Sequence, residues 1–177
     1  RGSDPNAAVL YLARALSAGE DIEFLARRIM ICAAEDVGLA NPNALLIAVS
    51  AYQCAQSCGM PEARIPLAQA CIMVASSPKS NAAYLAIDKA LDDVKRTDTG
   101  VVPMHLRNAP AKGMEDLGYS VGYKYPHDYP GHITSQQYMT DKTVGRSYYE
   151  PTDIGYERKI AEYLDYCEKI IRQEQTK

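Results

Sequence analysis

An excess of charge of either sign is missing from this chain: its 177 residues carry 19 Lys+Arg against 22 Asp+Glu, a formal net charge of -3. Cutting after Arg96 leaves 9 basic and 10 acidic residues before the cut, 10 and 12 after it. Neither half has the basic surplus of a dedicated nucleic-acid or anionic-membrane binder. No apolar run approaches the ~18 residues of a membrane span, and no charged-then-apolar leader runs into a small-residue cleavage site. A soluble, cytoplasmic chain with no membrane partner is expected. Also missing are the G-x-x-x-x-G-K-[ST] phosphate loop, a G-x-G-x-x-G after a strand, H-E-x-x-H and G-x-S-x-G. With them go the common nucleotide and hydrolase sites, and neither catalytic residues, a cofactor nor a metal is expected within the chain. There is no internal repeat and no low-complexity tract.

What is there fits a globular protein with a core of its own: 47% apolar residues, 23% charged, in a length that needs no metal or disulfide staple. Five cysteines, Cys32, Cys54, Cys58, Cys71 and Cys167, are an odd number thinly spread, so reduced thiols are expected rather than a disulfide framework. The chain starts with Arg1-Gly2-Ser3-Asp4-Pro5 and leads directly into a helical pattern. A piece of a longer protein is expected.

Helix punctuation dominates the first hundred residues. Ser3 or Asp4 can cap a helix with Pro5 in its first turn and Gly19 as its stop; Asp21 can cap a second, ended by Gly38. Asn41-Pro42 and Gly59 bracket a third. The second shows one apolar face at Ile22, Leu25, Ala26, Ile29 and Ala33. The third, with Ala44 to Val49 unbroken, and a fourth from near Pro66 with Leu67 to Ala75, are apolar all round, so both are expected to be buried on several sides. A fifth, from a Ser80 cap to about Arg96, is expected to bury Ala83, Ile87, Leu91 and Val94. The expected fold is an all-α, multi-helix bundle.

Composition changes after Thr97. Pro103, Pro110, Pro126, Pro130 and Pro151 recur, and seven of the 13 tyrosines fall between Tyr119 and Tyr149. One short helix, from about Pro110 to Leu117, is expected there. A last helix begins near Thr152 or Asp153 with a stripe of Ile160, Tyr163, Leu164, Cys167, Ile170 and Ile171. The expected division is a helical bundle core over 1-96, a loop-rich Tyr/Pro/Gly segment over 97-151 and a C-terminal helix over 152-177, together one structural domain. A structureless stretch from about 118 to 150 must pack over the bundle or reach a partner, and tyrosine, a rigid apolar face with one hydroxyl, suits both.

Few constellations offer chemistry. Cys54 and Cys58, four apart on one helix and imaginable as zinc ligands with Cys71 or Cys32, lack ribbon or finger spacing, and packing as small hydrophobes is the favoured reading. His127, Asp128 and His132 stand among Pro126, Pro130 and Gly131, where a turn uses such residues for local hydrogen bonds. Glu35 and Asp36 sit near a helix C-terminus and oppose its dipole, so they need a cation. Arg107 is the expected partner, making a structural clamp with them. The alternative puts Arg107, Lys112 and Lys124, with neighbouring tyrosines, into a phosphate and base contact surface; Lys112, Tyr123, Lys124, Tyr125 and Tyr129 are candidates for interface or phosphate contacts.

Six stretches are more specific. Asp4-Pro5-Asn6-Ala7-Ala8, Ala34-Glu35-Asp36-Val37-Gly38-Leu39-Ala40-Asn41-Pro42, Pro78-Lys79-Ser80-Asn81-Ala82, His105-Leu106-Arg107-Asn108-Ala109-Pro110, Gly122 to Gly131 and Gln136-Gln137-Tyr138 resemble, in this order, the C-terminal part of the replication-associated recombination protein A family. That family, also called RarA or MgsA, includes the Werner helicase-interacting ATPase. The resemblance covers essentially the whole chain. It implies a clamp-loader-collar-like helical fold and a fragment of an AAA+ ATPase acting in DNA replication, recombination and stalled-fork repair. Mg-ATP and most DNA contacts would belong to a missing N-terminal module. It also implies a homo-tetramer, single-strand-binding protein as a partner and association with the nucleoid. Tyr11 stands where relatives often have Trp, and Ser120-Val121 replaces a common glycine-lysine pair. The expected function is therefore assembly; a nucleic-acid-binding module is the alternative, and an independent enzyme built on Glu35, Asp36 or the histidines lacks a recognisable nucleophile or base.

Overall fold

The computed structural model describes residues 1–111 and 113–175. Among them are six α-helices and no strand: α1 (Pro5–Ser17), α2 (Ile22–Cys32), α3 (Asn43–Cys58), α4 (Arg64–Ser76), α5 (Ala82–Arg96) and α6 (Glu157–Gln175). The fold is all-α. None of these helices is long and apolar enough to cross a membrane. The chain forms two compact units, Arg1–Ile87 with Tyr149–Ala161, and Asp88–Tyr148 with Glu162–Lys177.

In the first unit the expected caps form. The Asp4 carboxylate accepts from Ala7 N at 3.0 Å, and that of Asp21 from Phe24 N at 3.0 Å, each satisfying a backbone N–H that the helix cannot. Beyond Cys32 the chain widens into a π-helical turn, Ala33–Val37, and then tightens into a 3-10 turn, Gly38–Ala40, before α3 starts. Helix α3 packs against α2 and α4, and α1 against α4. Its buried residues are Ala44, Ala48, Ala51 and Ala55, a small-residue stripe that lets backbones approach closely. Leu12, Ala26, Ala55, Ala63 and Leu67 form one core cluster; Ala33, Val37, Ala44, Ala48 and Val74 form the other.

Several expectations are corrected here. Helices α3 and α4, each packed against more than one other helix, still leave a face in solvent, with Leu45, Leu46, Ile65 and Ile72 exposed. Cys54 and Cys58 are exposed on α3 rather than packed. Helix α4 starts at Arg64, ahead of Pro66, because proline is tolerated in a first turn, where N–H groups have no helical partner. Helix α5 turns out the face expected to be its core: Ile87, Leu91 and Val94 are 55%, 46% and 63% exposed, and Ala83 is exposed as well.

The second unit shows what α5 holds instead. Asp93, on the opposite side of the helix from Leu91, accepts a hydrogen bond from the Tyr148 hydroxyl at 2.6 Å and pairs with Arg146, which also donates to Thr97. The Tyr148 and Arg146 bonds hold the Asp93 carboxyl below the usual carboxylate range. Lys142 pairs with Asp98, and the Thr140 hydroxyl donates to Thr99 O. These polar links fasten the segment 140–148 to the polar side and C-terminal end of α5. The helix expected over Pro110 to Leu117 is absent among the described residues, which are turns; Gly113, at φ +88°, is in the left-handed region and interrupts any helix there. A 3-10 turn, Met104–Leu106, precedes it.

Helix α6 starts at Glu157, later than the Thr152 or Asp153 expected. Gly155 is the cause, since its φ of +59° is not helical. Of the stripe along α6, Ile160, Cys167, Ile170 and Ile171 are half-buried, while Tyr163 and Leu164 are exposed.

Candidate functional site

The Glu35–Asp36 pair lies in the π-helical turn, where carboxylates oppose the negative end of the helix dipole. Its cation is Arg1. The Arg1 Nε donates to Asp36 Oδ1 at 2.7 Å, and Nη2 to Glu35 Oε1 at 3.4 Å. Burial pulls the Asp36 carboxyl upward, and the bonds from Arg1 and from the Cys32 thiol, at 3.3 Å, more than offset it, leaving it below the usual range. The expected clamp of Glu35, Asp36 and Arg107 is thus corrected, with Arg1 in the role assigned to Arg107.

Arg107 donates through Nε to Val102 O at 2.8 Å and lies 5.6 Å from the centroid of the Tyr119 ring. Lys124 donates through Nζ to Ser135 O at 2.9 Å, while Gln136 bridges its backbone, accepting from Lys124 N and donating to Lys124 O. Both cations are therefore tied to backbone carbonyls of their own unit. Lys112 lies outside the described residues. Tyr123 and Tyr125 are exposed and Tyr129 is half-buried. The rings of Tyr125, His127 and His132 lie tilted against one another in succession, with centroids 5.1 and 4.6 Å apart. Among the described residues no group of three His, Cys, Asp or Glu is placed to hold a metal ion.

A buried polar cluster involves a residue that the sequence did not single out. Glu157 is 0% exposed. One carboxylate oxygen accepts from the Ser80 hydroxyl and from Thr152 Oγ1 at 2.6 Å, the other from Tyr149 OH at 2.8 Å. Ser80 Oγ in turn accepts from Ala82 N at 3.3 Å, so one carboxylate ties the N-terminal ends of α5 and α6 together. The backbone bonds Ser80 N to Asp36 O, 2.9 Å, and Tyr156 N to Ala40 O, 2.8 Å, seat both segments on the 36–40 turn. Ser80 and Glu157 are both buried, so the arrangement leaves no open substrate position beside them. It is a structural latch.

Burial raises the Glu157 carboxyl, and the bonds from Ser80, Thr152 and Tyr149 bring it below its ordinary value. Burial and the bond to Glu157 push the Tyr149 hydroxyl up to about 12. The signs differ. Stability from Glu157 is present above the ordinary carboxylate value and lost as pH falls through its lowered folded value; stability from Tyr149 is complete below about 10 and lost as pH climbs through about 12. Urea midpoints measured at about pH 8 and about pH 11 should drop more for the wild type than for Tyr149→Phe, which cannot ionise. Equal drops would remove Tyr149 as the titrating group.

Residues 2–168 match the family described as MgsA AAA+ ATPase C terminal. An AAA-domain-containing protein of Mycobacterium tuberculosis is 50% identical over 173 residues, covering 98% of this chain and 38% of that protein. Replication-associated recombination protein A of Bacillus subtilis is 48% identical over 166 residues, 93% of this chain and 39% of that protein. The Escherichia coli protein of the same name is 41% identical over 165 residues, 93% and 37%. The chain spans about two fifths of the length of the curated relatives it matches. It belongs to the MgsA/RarA family of AAA+ ATPases and corresponds to their C-terminal region.

Proposed function

We propose that this chain is the assembly module of its AAA+ ATPase, joining copies into a homo-oligomer, with a tetramer as the expected state. One observation carries the reading. Helix α5 has the apolar periodicity of a core helix, and the face so built is left in solvent by its own chain. Isolated exposed apolar residues are ordinary, but a stripe at helical spacing is the mark of a face meant to be covered.

ATP and Mg2+ are bound, on this reading, by the part of the relatives that this chain does not cover. The described residues contain no strand leading into a Gly-rich loop, and no phosphate-loop lysine motif occurs in the sequence, so nothing here fits the nucleotide. The work in DNA replication, recombination and fork repair, in the cytoplasm at the nucleoid and alongside single-strand-binding protein, belongs to the whole protein. The nucleic-acid alternative has less behind it, since Arg107 and Lys124 are engaged with backbone carbonyls.

Size exclusion with light scattering at tens of micromolar, a concentration suited to ordinary interface affinities, tests the proposal. The expected mass is four times the 19.5 kDa of one chain. A species of 19.5 kDa at every concentration would overturn the reading.

A further inference from the structure

We infer that α5 is a seam on which two copies of this chain pair antiparallel, about a two-fold axis beside Leu91. This rests on the assembly reading and names its surface. The helix is unbroken from Ala82 to Arg96. At about 100° per residue, Ile87 and Val94 lie about 50° to one side of Leu91, and Asp88 and Lys95 about 50° to the other. The exposed face therefore has an apolar centre, an apolar flank and a charged flank.

That face is complementary to itself. Ile87 and Asp88 stand four and three residues before Leu91, Val94 and Lys95 three and four after it. A two-fold axis at Leu91 sets Leu91 against its symmetry mate and Ile87 against the other copy's Val94. On the opposite flank it brings Asp88 alongside the other copy's Lys95, and every contact occurs twice, as an isologous interface requires. Parallel pairing fails this test, because it lays the charged flank of one helix against the apolar flank of the other. Neither Asp88 nor Lys95 has an ion-pair partner among the described residues, whereas Asp92, Asp93 and Arg96 on the far side are engaged in Asp92–Arg96 and Asp93–Arg146. Among the described charges of α5, those left without partners are the two that the antiparallel arrangement joins. A second copy is the occupant that supplies both halves of this pattern. A tetramer of dihedral symmetry needs two kinds of isologous contact, and α5 provides one.

Charge reversal tests the seam. Asp88→Lys alone and Lys95→Glu alone should each turn two attractive pairs into two repulsive ones, weaken self-association by about tenfold or more and lower the assembly mass. An equimolar mixture of the two variants restores opposite charges at both positions and should recover the wild-type mass, as should the double variant Asp88→Lys/Lys95→Glu. Recovery by mixing separates a lost contact from a lost fold. Leu91→Asp should abolish the contact in every combination. A wild type that assembles while all these variants keep its mass, or single variants that mixing fails to rescue, would overturn the α5 seam and leave the assembly reading standing. A monomeric wild type would end both.

Discussion

Replacing Glu157 by alanine is expected to cost about 3–5 kcal/mol, a large share of the ~5–15 kcal/mol that holds an ordinary domain folded. The carboxylate is fully buried and satisfies three hydroxyls, those of Ser80, Thr152 and Tyr149. Removing it leaves these donors in a cavity that the neighbouring backbone cannot close, and unsatisfied buried polar groups cost more than a hydrogen bond contributes. Glu157→Gln keeps the volume and one acceptor oxygen, so about 1–3 kcal/mol is expected. Tyr149→Phe removes a single bond and should cost about 1 kcal/mol. Chemical denaturation of the three variants gives the order directly, and Glu157→Ala at the wild-type midpoint would dismiss the latch.

Gly155→Ala is expected to be as damaging, through sterics alone. A Cβ there would sit 2.2 Å from Ala40 O, 2.9 Å from Pro78 Cγ and 3.0 Å from Ala40 C, at a φ of +59°. The carbonyl cannot withdraw, because Ala40 O accepts the Tyr156 N–H one residue away. Left-handed strain of about 1–2 kcal/mol and overpacking of about 1–3 kcal/mol act together. Gly19→Ala is the control. Its φ is +80° with nothing within 4 Å of the added carbon, so only the conformational cost of about 1 kcal/mol remains. Thermal midpoints for the two variants should separate clearly; equal midpoints would mean that the close approach to Ala40 is easily relieved.

Both residues show what sequence reading can reach. Caps at Asp4 and Asp21 were legible because a cap is a local event, a carboxylate meeting an N–H two or three residues on. Glu157 was not, because its partner Ser80 is 77 residues away and an acid opening an amphipathic helix looks like any first-turn surface charge. The need of Glu35 and Asp36 for a cation followed from the helix dipole, but several arginines were chemically equal to the task, and only the path of the chain selects Arg1. Helix α5 is the instructive case. Its periodicity correctly marks one apolar face, yet periodicity is the same for a face that meets its own chain and one that meets another. The polar anchor at Asp93, Tyr148 and Arg146, which fixes the direction of that face, is assembled from residues 55 apart.

Hydroxyl-radical footprinting of α5 in the assembled protein tests most directly whether this stripe is covered in solution. In the single chain Ile87, Leu91 and Val94 are 55%, 46% and 63% exposed. At tens of micromolar, where ordinary interfaces are populated, all three should be protected, and dilution to nanomolar should release them together. Equal reactivity at both concentrations would contradict the account, leaving the α5 stripe an open surface.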